Sequence, residues 1–106
     1  MPKKETGSAA MLVLALLKNG EMYGYQIVEE LARRSENVFQ FKEGTLYPVL
    51  HGLEKDRLLS AREAEAPNGR VRRYYAITEK GLRVLDEKQK EWYAFSKAVS
   101  AILAGA

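Results

Sequence analysis

The sequence predicts a mainly α-helical fold with one small β-hairpin and a long helix at its C-terminal end. Residues 9–17 are apolar throughout, and in three later segments apolar residues recur every three or four positions, which is the period of a helix buried on one face. Between the third and fourth segments the period changes to two, over residues 59–65 and 71–77. An Asn-Gly pair, a strong local signal for a hairpin, lies between these two runs.

Composition limits the chain to one domain and excludes several kinds of site. A chain of 106 residues supports one compact unit with a modest core. It has no cysteine and one histidine, His51, so we expect no metal, no cofactor and no enzymatic activity. The longest apolar run, residues 9–17, is shorter than the roughly 18 residues of a membrane span, which favours a cytoplasmic protein. A net charge of +3 is compatible with nucleic acid but does not establish it.

The first predicted helix is apolar around its whole circumference. Ser8 or Thr6 could cap it, Asn19-Gly20 would close it after Lys18, and the polar residues before Ser8 are expected to fray. A helix of this kind needs burial on more than one face. Two arrangements would provide it. Either a second protomer covers the helix, or the helix lies at the centre of a monomer.

The second predicted helix spans residues 23–34 and has one apolar face. Gly24, Ile27 and Leu31 share that face, and Gly24 would allow a neighbouring helix to approach closely. Residues 38–41, which follow, could form a short strand or a packed loop.

The third predicted helix, residues 43–58, has two unlike faces. One is apolar; the other is thin and carries few large side chains. Pro48 has no N–H and is harmless only in the first turn, so we expect Gly44 or Thr45 to be the cap. A start at Lys42 or Glu43 would distort the first turn or leave it short of one hydrogen bond. The apolar face comprises Leu46, Val49, Leu50 and Leu53, and the thin face Gly44, Pro48, His51 and Lys55.

Arginines cluster at the predicted hairpin, whose strands are joined by residues 66–70. Arg70, Arg72 and Arg73 have no acidic neighbour within the second strand. A solubilising edge strand would account for two such arginines more easily than for three beside a glycine turn. The cluster therefore favours contact with an anionic partner.

The last predicted helix begins after Thr78, which caps it, and runs to about Leu103. At about 1.5 Å per residue it spans roughly 38 Å, longer than so small a domain can cover. A partner helix from a second protomer would bury its apolar seam. That seam comprises Leu82, Leu85, Gln89, Trp92, Phe95, Val99 and Ile102.

Three helices followed by a hairpin with an arginine-bearing tip is the order of a winged helix-turn-helix. Its third helix would enter the DNA major groove, about 12 Å wide, which admits a helix whose inserted face is small or hydrogen-bonding. His51 could read a base, donate to a phosphate or stay exposed without a contact. The other expected contacts are Gly44, Thr45, Pro48 and Gly52 in the groove, Tyr47 and Lys55 on phosphates, and Arg70, Arg72 and Arg73 on the flanking backbone or minor groove.

Four stretches resemble the PadR family of bacterial and archaeal transcriptional regulators, in particular its short subgroup. They are Tyr23-Gly24-Tyr25-Gln26-Ile27, Gly44-Thr45-Leu46-Tyr47-Pro48 with Leu50 and Leu53-Glu54, Gly69-Arg70-Val71-Arg72-Arg73-Tyr74-Tyr75, and Ile77-Thr78-Glu79-Lys80-Gly81. The resemblance implies a homodimeric transcriptional repressor that binds double-stranded DNA. Residues 1–77 would form the DNA-binding unit, with Tyr23 among the residues that contact DNA, and residues 78–106 would form the dimerisation helix. Its operator would be pseudo-palindromic, with recognition helices roughly 34 Å apart. Arg57 departs from the family, which commonly has glycine there. A left-handed conformation would be strained at Arg57, or its charge serves DNA.

Trp92 admits two interpretations. By pattern it is an anchor of the dimer interface. Multidrug-responsive members that this chain resembles carry a matching tryptophan, which implies a planar hydrophobic ligand between the protomers, against Trp92, Phe95 and Leu12. The expected dimer interface comprises Leu12, Leu16, Leu85, Trp92, Phe95, Val99 and Ile102. The alternative function is a winged-helix dimer that binds an acidic protein through its wing arginines and senses no ligand.

Overall fold

The computed structural model describes residues 3–105 and confirms the predicted fold, four helices and a small antiparallel sheet. The first helix packs against the other three helices and the sheet, and the last helix is the longest element. The elements are α1 (Lys3–Leu17), β1 (Met22–Tyr23), α2 (Gly24–Arg34), α3 (Glu43–Lys55), β2 (Leu59–Glu65), β3 (Val71–Ile77) and α4 (Glu79–Leu103).

The sheet has three strands in the order β1-β3-β2. Strands β2 and β3 pair from Leu59 with Ile77 to Glu65 with Val71, so the predicted bounds of the hairpin are confirmed. Strand β1 was not predicted. It pairs with β3 through two residues, too few to show a period, and thereby attaches the start of α2 to the hairpin.

The tip of the hairpin is closed by its own hydrogen bonds. The Ala66 N–H donates to the Arg70 carbonyl at 2.7 Å, and the Gly69 N–H donates to the Ala66 carbonyl at 2.8 Å. The Asn68 side chain accepts from the Arg70 N–H at 3.0 Å. Gly69 has φ 84°, which glycine adopts without steric cost. The tip therefore holds Arg70 on an ordered turn.

The core surrounds α1. Val13 and Leu14 are fully buried, whereas Leu12 is half-buried. The single chain thus supplies most of the cover that the apolar first helix needs, as in the central-helix arrangement, and leaves part of it exposed. The buried cluster comprises Val13, Leu14, Leu16, Leu17, Ile27, Leu31, Leu46, Leu50, Leu53, Leu58, Leu59, Tyr75 and Leu85.

Two helix starts differ from the prediction. Helix α1 begins at Lys3 rather than after Ser8 or Thr6, because lysine and glutamate in the preceding segment are good helix formers; residues 1 and 2 of the segment expected to fray lie outside the described residues. Helix α2 begins at Gly24, because Tyr23 belongs to β1 and forms the N-cap.

Helix α3 starts at Glu43, the first residue of the predicted range, but its N-cap is Lys42 rather than the expected Gly44 or Thr45. The Lys42 carbonyl accepts from the N–H groups of Thr45 and Leu46, both at 3.0 Å, so the first turn is regular. Pro48 then lies inside the helix, and its missing N–H leaves the Gly44 carbonyl without the usual donor four residues on. Because Gly44 is exposed, water can bind that carbonyl.

The predicted cap and end of α4 are confirmed. The Thr78 hydroxyl accepts from the Gly81 N–H at 3.0 Å, and the helix ends at Leu103. The second half of α4 is largely exposed in the single chain, and the molecule measures 58 Å along its longest axis against 28 and 24 Å across. Within residues 3–105, no helix combines the length and apolar character needed to cross a membrane.

Candidate DNA interface

The outward face of α3 is exposed and free of bulk. Gly44, Thr45, Pro48, His51 and Lys55 are all exposed, as the sequence predicted. A methyl group built on Gly44, or on Gly52 further along the helix, would meet no atom within 4 Å. The opposite face fixes the helix to the body through three buried leucines, Leu46, Leu50 and Leu53.

A cleft of about 640 Å³ joins this face to the hairpin. It lies between α3, the start of α2 and the arginine-bearing strand β3. Among its walls are six side chains that the sequence marked for DNA contact, namely Tyr23, Tyr47, His51, Arg70, Arg72 and Arg73. Gly44, Thr45, Pro48 and Lys55 lie outside the cleft. Thr45 borders a separate depression beside residues 38–42.

Tyr47 is held in the cleft by contact with α2. A Cβ at Gly24 would lie 3.3 Å from Cε1 and from the hydroxyl of Tyr47, so glycine makes room for this ring. The Tyr47 hydroxyl donates to Glu43 Oε1 at 3.4 Å. Burial, and then the charge of Glu43, raise the pKa of Tyr47 above its usual value. Tyr47 is therefore neutral, and its hydroxyl would have to leave Glu43 to donate to a phosphate.

The arginines of the hairpin have different environments. The Arg72 guanidinium lies over the Tyr23 ring, 4.2 Å from its centroid, and Tyr23 meets Tyr74 edge to face at 5.5 Å. The Arg73 Nη2 donates to Glu54 Oε2 at 2.6 Å. Partial burial lowers the pKa of Arg73, but the charge of Glu54 and the contact with Tyr75 outweigh burial and raise it. The second strand lacks acidic residues, as predicted, yet α3 supplies one.

Arg62 and Glu21 form a second ion pair that the sequence did not reveal. Arg62 on β2 bonds both oxygens of Glu21, with Nε at 3.1 Å from Oε1, and its guanidinium lies 5.3 Å from the Tyr74 centroid. The hydrogen bond from Arg62 lowers the pKa of Glu21. Strand alternation places Arg62 opposite Tyr74. The Glu21 contact has no comparable signal, because it depends on β1.

Comparison with known proteins agrees with this geometry. The PadR-like family of transcriptional regulators matches residues 13–87, from α1 to the first turns of α4. The chain belongs to this family. It is 35% identical over 99 residues to the uncharacterised protein X of Lysinibacillus sphaericus, covering 93% of this chain and 91% of that one. It is 32% identical over 90 residues to the transcriptional regulator Rv3488 of Mycobacterium tuberculosis, covering 85% and 80%.

The fold is also similar to that of a PadR-like protein of known structure. A PadR-like transcriptional regulator from Bacillus cereus superposes with a TM-score of 0.84 at 28% identity, covering 100% of both chains. PadR-like proteins are transcriptional regulators that bind DNA, and the family is not one of enzymes.

The three residues expected to bind a ligand, Trp92, Phe95 and Leu12, do not all lie together in the single chain. The Trp92 and Phe95 rings lie 6.3 Å apart, tilted by 33°, and are 47% and 54% exposed. Leu12 lines another depression, of about 380 Å³, together with residues of α2. Neither Trp92 nor Phe95 lines that depression.

Two residues expected in the dimer interface are core residues. Leu16 is 5% exposed and Leu85 is 1% exposed, so each is buried by its own chain and offers a partner almost no surface. The apolar spacing of α4 continues past the point where the rest of the chain covers the helix, which is why periodicity alone assigned Leu85 to an interface. The large apolar side chains of α4 that remain exposed include Trp92, Phe95 and Ile102.

Proposed function

We propose that this protein is a dimeric transcriptional repressor that binds a pseudo-palindromic operator through α3 and the hairpin, here called the wing. The observation that carries the proposal is the bare outer face of α3, whose edge at Tyr47 and His51 lines the same cleft as Arg70, Arg72 and Arg73. Residues 1–77 form the DNA-binding unit and residues 78–106 the dimerisation helix. Such a regulator acts in the cytoplasm, beside the chromosome.

Sequence selection falls to the middle of α3. Thr45 and His51 are exposed and can form hydrogen bonds. They lie on either side of a surface where glycine and Pro48 leave no large side chain. In a major groove about 12 Å wide, such a surface lets the helix approach the base edges. Thr45 and His51 would then distinguish sequences.

Phosphate binding falls to the margins. Arg70 lies on the ordered tip, Arg72 is supported by the Tyr23 ring, Tyr47 keeps its proton, and Lys55 is exposed at the last turn of α3. Each fixes the position of the duplex without reading its sequence.

Dimerisation falls to the exposed half of α4. Ile102 is 76% exposed and Leu103 is 78% exposed, in line with Trp92 and Phe95. Water contact with so many large apolar side chains on one helix is unfavourable, and a second α4 would remove it. A two-fold axis there would place two α3 helices in successive major grooves, about 34 Å apart.

The test begins with a duplex that the wild-type protein selects from a random-sequence library, compared with an unselected duplex. Arg70→Ala should weaken binding to both duplexes alike and reduce the salt slope by about one, because one phosphate contact is lost. Thr45→Ala should weaken binding to the selected duplex alone. Anisotropy at several salt concentrations measures both effects. Identical behaviour of the two variants on both duplexes would contradict this division of roles.

Release by a planar hydrophobic ligand is the second part of the proposal. Trp92 and Phe95 present two neighbouring exposed rings, and a two-fold axis along α4 would bring a second pair against them. Aromatic faces bind flat, cationic compounds by stacking and cation–π attraction. The chain has a single tryptophan, so its fluorescence reports on this position alone. Titration with a planar cationic dye should quench it; unchanged fluorescence would remove the ligand from the proposal.

The alternative is a winged-helix dimer that docks an acidic protein through the wing. It predicts a protein that selects no duplex from the library, whereas DNA binding predicts selection and a steep loss of affinity with added salt.

A further inference from the structure

Arg73 differs from the other arginines at the wing's second strand in what it contacts. Its Nη2 lies 2.6 Å from Glu54 Oε2, and the two side chains are 43% and 30% exposed. Within residues 3–105, Arg70 and Arg72 form no ion pair. The Arg73 guanidinium is thus occupied by a carboxylate of α3, whereas the other two remain available to an anion.

The Arg73–Glu54 pair joins the recognition helix to the outer part of the wing. At its base the wing is fixed to the body through the Leu59–Ile77 pair, and β1 holds β3 at Tyr74 and Tyr75. Arg73 is one residue further toward the tip. The Arg73–Glu54 bond therefore lies between the base of the wing and its tip. At this position it resists rotation of the tip about the base, relative to α3.

Glu54 also needs a countercharge when DNA is bound. It lies in the last turn of α3, on the helix that would enter the groove, and within residues 3–105 its carboxylate bonds to Arg73 alone. A carboxylate without that partner would repel nearby phosphates. Loss of Arg73 would therefore free the wing and expose a repulsive charge at once.

We propose that Arg73 is a positioning residue: its ion pair with Glu54 fixes the angle between α3 and the wing, and DNA affinity depends on the pair rather than on an Arg73–phosphate contact. This inference rests on the proposed DNA-binding function and replaces the direct contact that the sequence suggested for Arg73.

The decisive experiment exchanges the two charges. Arg73→Glu and Glu54→Arg are made singly and together, and binding is measured on the selected and the unselected duplex. We expect each single variant to lower the ratio of the two affinities by about tenfold, and the double variant to restore it to within about threefold, because the pair forms again in reverse. If the double variant binds as weakly as Arg73→Glu alone, Arg73 contacts phosphate directly and the proposal is wrong.

A matched exchange at the tip serves as the control. Arg70→Glu with Glu65→Arg also conserves net charge, but Arg70 has no ion pair to rebuild. The double variant should therefore stay as weak as Arg70→Glu. In addition, Glu54→Gln should weaken selective binding. If Glu54→Gln binds the selected duplex more tightly than the wild type does, Arg73 was being withheld from DNA, which also overturns the proposal.

Hydrogen exchange without DNA separates this inference from the proposed function. The amides of the β1–β3 pairing, Met22 with Tyr75 and Tyr23 with Tyr74, should exchange faster in either single variant, because a swinging wing opens that pairing, and should return to the wild-type rate in the double variant. Unchanged exchange in the single variants would overturn the positioning role even if DNA binding falls. If the wild type selects no duplex, the DNA-binding proposal fails, while the exchange rates still decide whether the pair holds the wing.

Discussion

At the scale of single residues, Arg57 shows how the end of α3 is made. The Leu58 N–H donates to the Leu53 carbonyl and the Arg57 N–H to the Glu54 carbonyl, both at 2.9 Å. This pair of bonds is a Schellman motif, which requires a left-handed residue between helix and strand. Arg57 fills that position with φ 63°, so the left-handed conformation considered from the sequence is present. Side chains adopt it at a cost of roughly 1–2 kcal/mol.

Replacing Arg57 by glycine should therefore stabilise the protein. The strain disappears, part of the gain is lost to the greater freedom of glycine when unfolded, and a net increase of about 0.5–1 kcal/mol in the free energy of unfolding is expected. Urea denaturation measures this free energy of unfolding.

Arg57→Ala is the control, since alanine removes the charge but keeps the strain. If both variants lose DNA affinity equally, the charge of Arg57 also serves DNA; equal stability of Arg57→Gly and wild type would show that the turn is not strained.

At the scale of elements, α3 and α4 are joined end to end by hydrogen bonds. The Thr78 hydroxyl donates to the Arg57 carbonyl at 2.7 Å, and the Thr78 N–H donates to the Leu58 carbonyl at 3.0 Å. Lys80 Nζ donates to the Asp56 carbonyl at 3.1 Å. The N-terminus of α4 thus binds the carbonyls of the turn that follows α3, at residues 56–58. The direction of the recognition helix is fixed relative to the helix proposed to dimerise.

Glycine is needed at this junction and not on the DNA face. A Cβ at Gly81 would overlap the Leu58 carbonyl oxygen and lie 2.7 Å from Ile77 Cγ1, whereas one at Gly52 would meet nothing. Gly81→Ala should cost about 1–3 kcal/mol, because a backbone carbonyl must move. Gly52→Ala should instead raise stability by about 0.5–1 kcal/mol through helix propensity, while weakening DNA binding. Thermal unfolding compares the two; destabilisation by both would refute the open surface at Gly52.

The same elements show what the sequence could predict. The wing was placed at its correct bounds because strand alternation and the Asn-Gly pair are local signals. Strand β1 exists only through pairing with β3, so two residues gave no pattern. The N-cap of α3 was predicted at Gly44 or Thr45 but lies at Lys42, because the exposed Gly44 carbonyl can bind water in place of the N–H that Pro48 lacks.

The candidate site, like the fold, was predictable only where local sequence patterns define it. Periodicity identified the exposed face of α3 and the arginines of the wing, since both depend on neighbours in the chain. It could not show that Arg73 contacts Glu54, because 19 residues separate them and the contact depends on how the wing is placed against α3. The residues of the outer surface were therefore predictable, but the ion pairs between its elements were not.

At the scale of the whole molecule, the long axis of 58 Å and the exposed end of α4 predict a dimer. The exposed apolar residues lie on one side of α4, and Tyr93, which is 64% exposed, points about 100° away from Trp92 at the helical period. Phe95→Asp should abolish dimerisation, because a carboxylate buried between two helices without a partner is strongly unfavourable. We expect the dissociation constant to rise at least about 100-fold, as for loss of an interface anchor.

Sedimentation at micromolar concentration checks this prediction, with Tyr93→Asp as the matched control. Tyr93→Asp introduces the same charge on the same helix but away from the seam, so it should remain dimeric. A monomeric Phe95→Asp protein should bind one half-site with little loss and the full selected duplex far more weakly than wild type, because the second α3 is no longer held near the first. Dissociation by Tyr93→Asp alone would place the interface elsewhere, and a wild-type monomer would remove the dimer altogether. The spacing of about 34 Å between recognition helices would then have no structural basis.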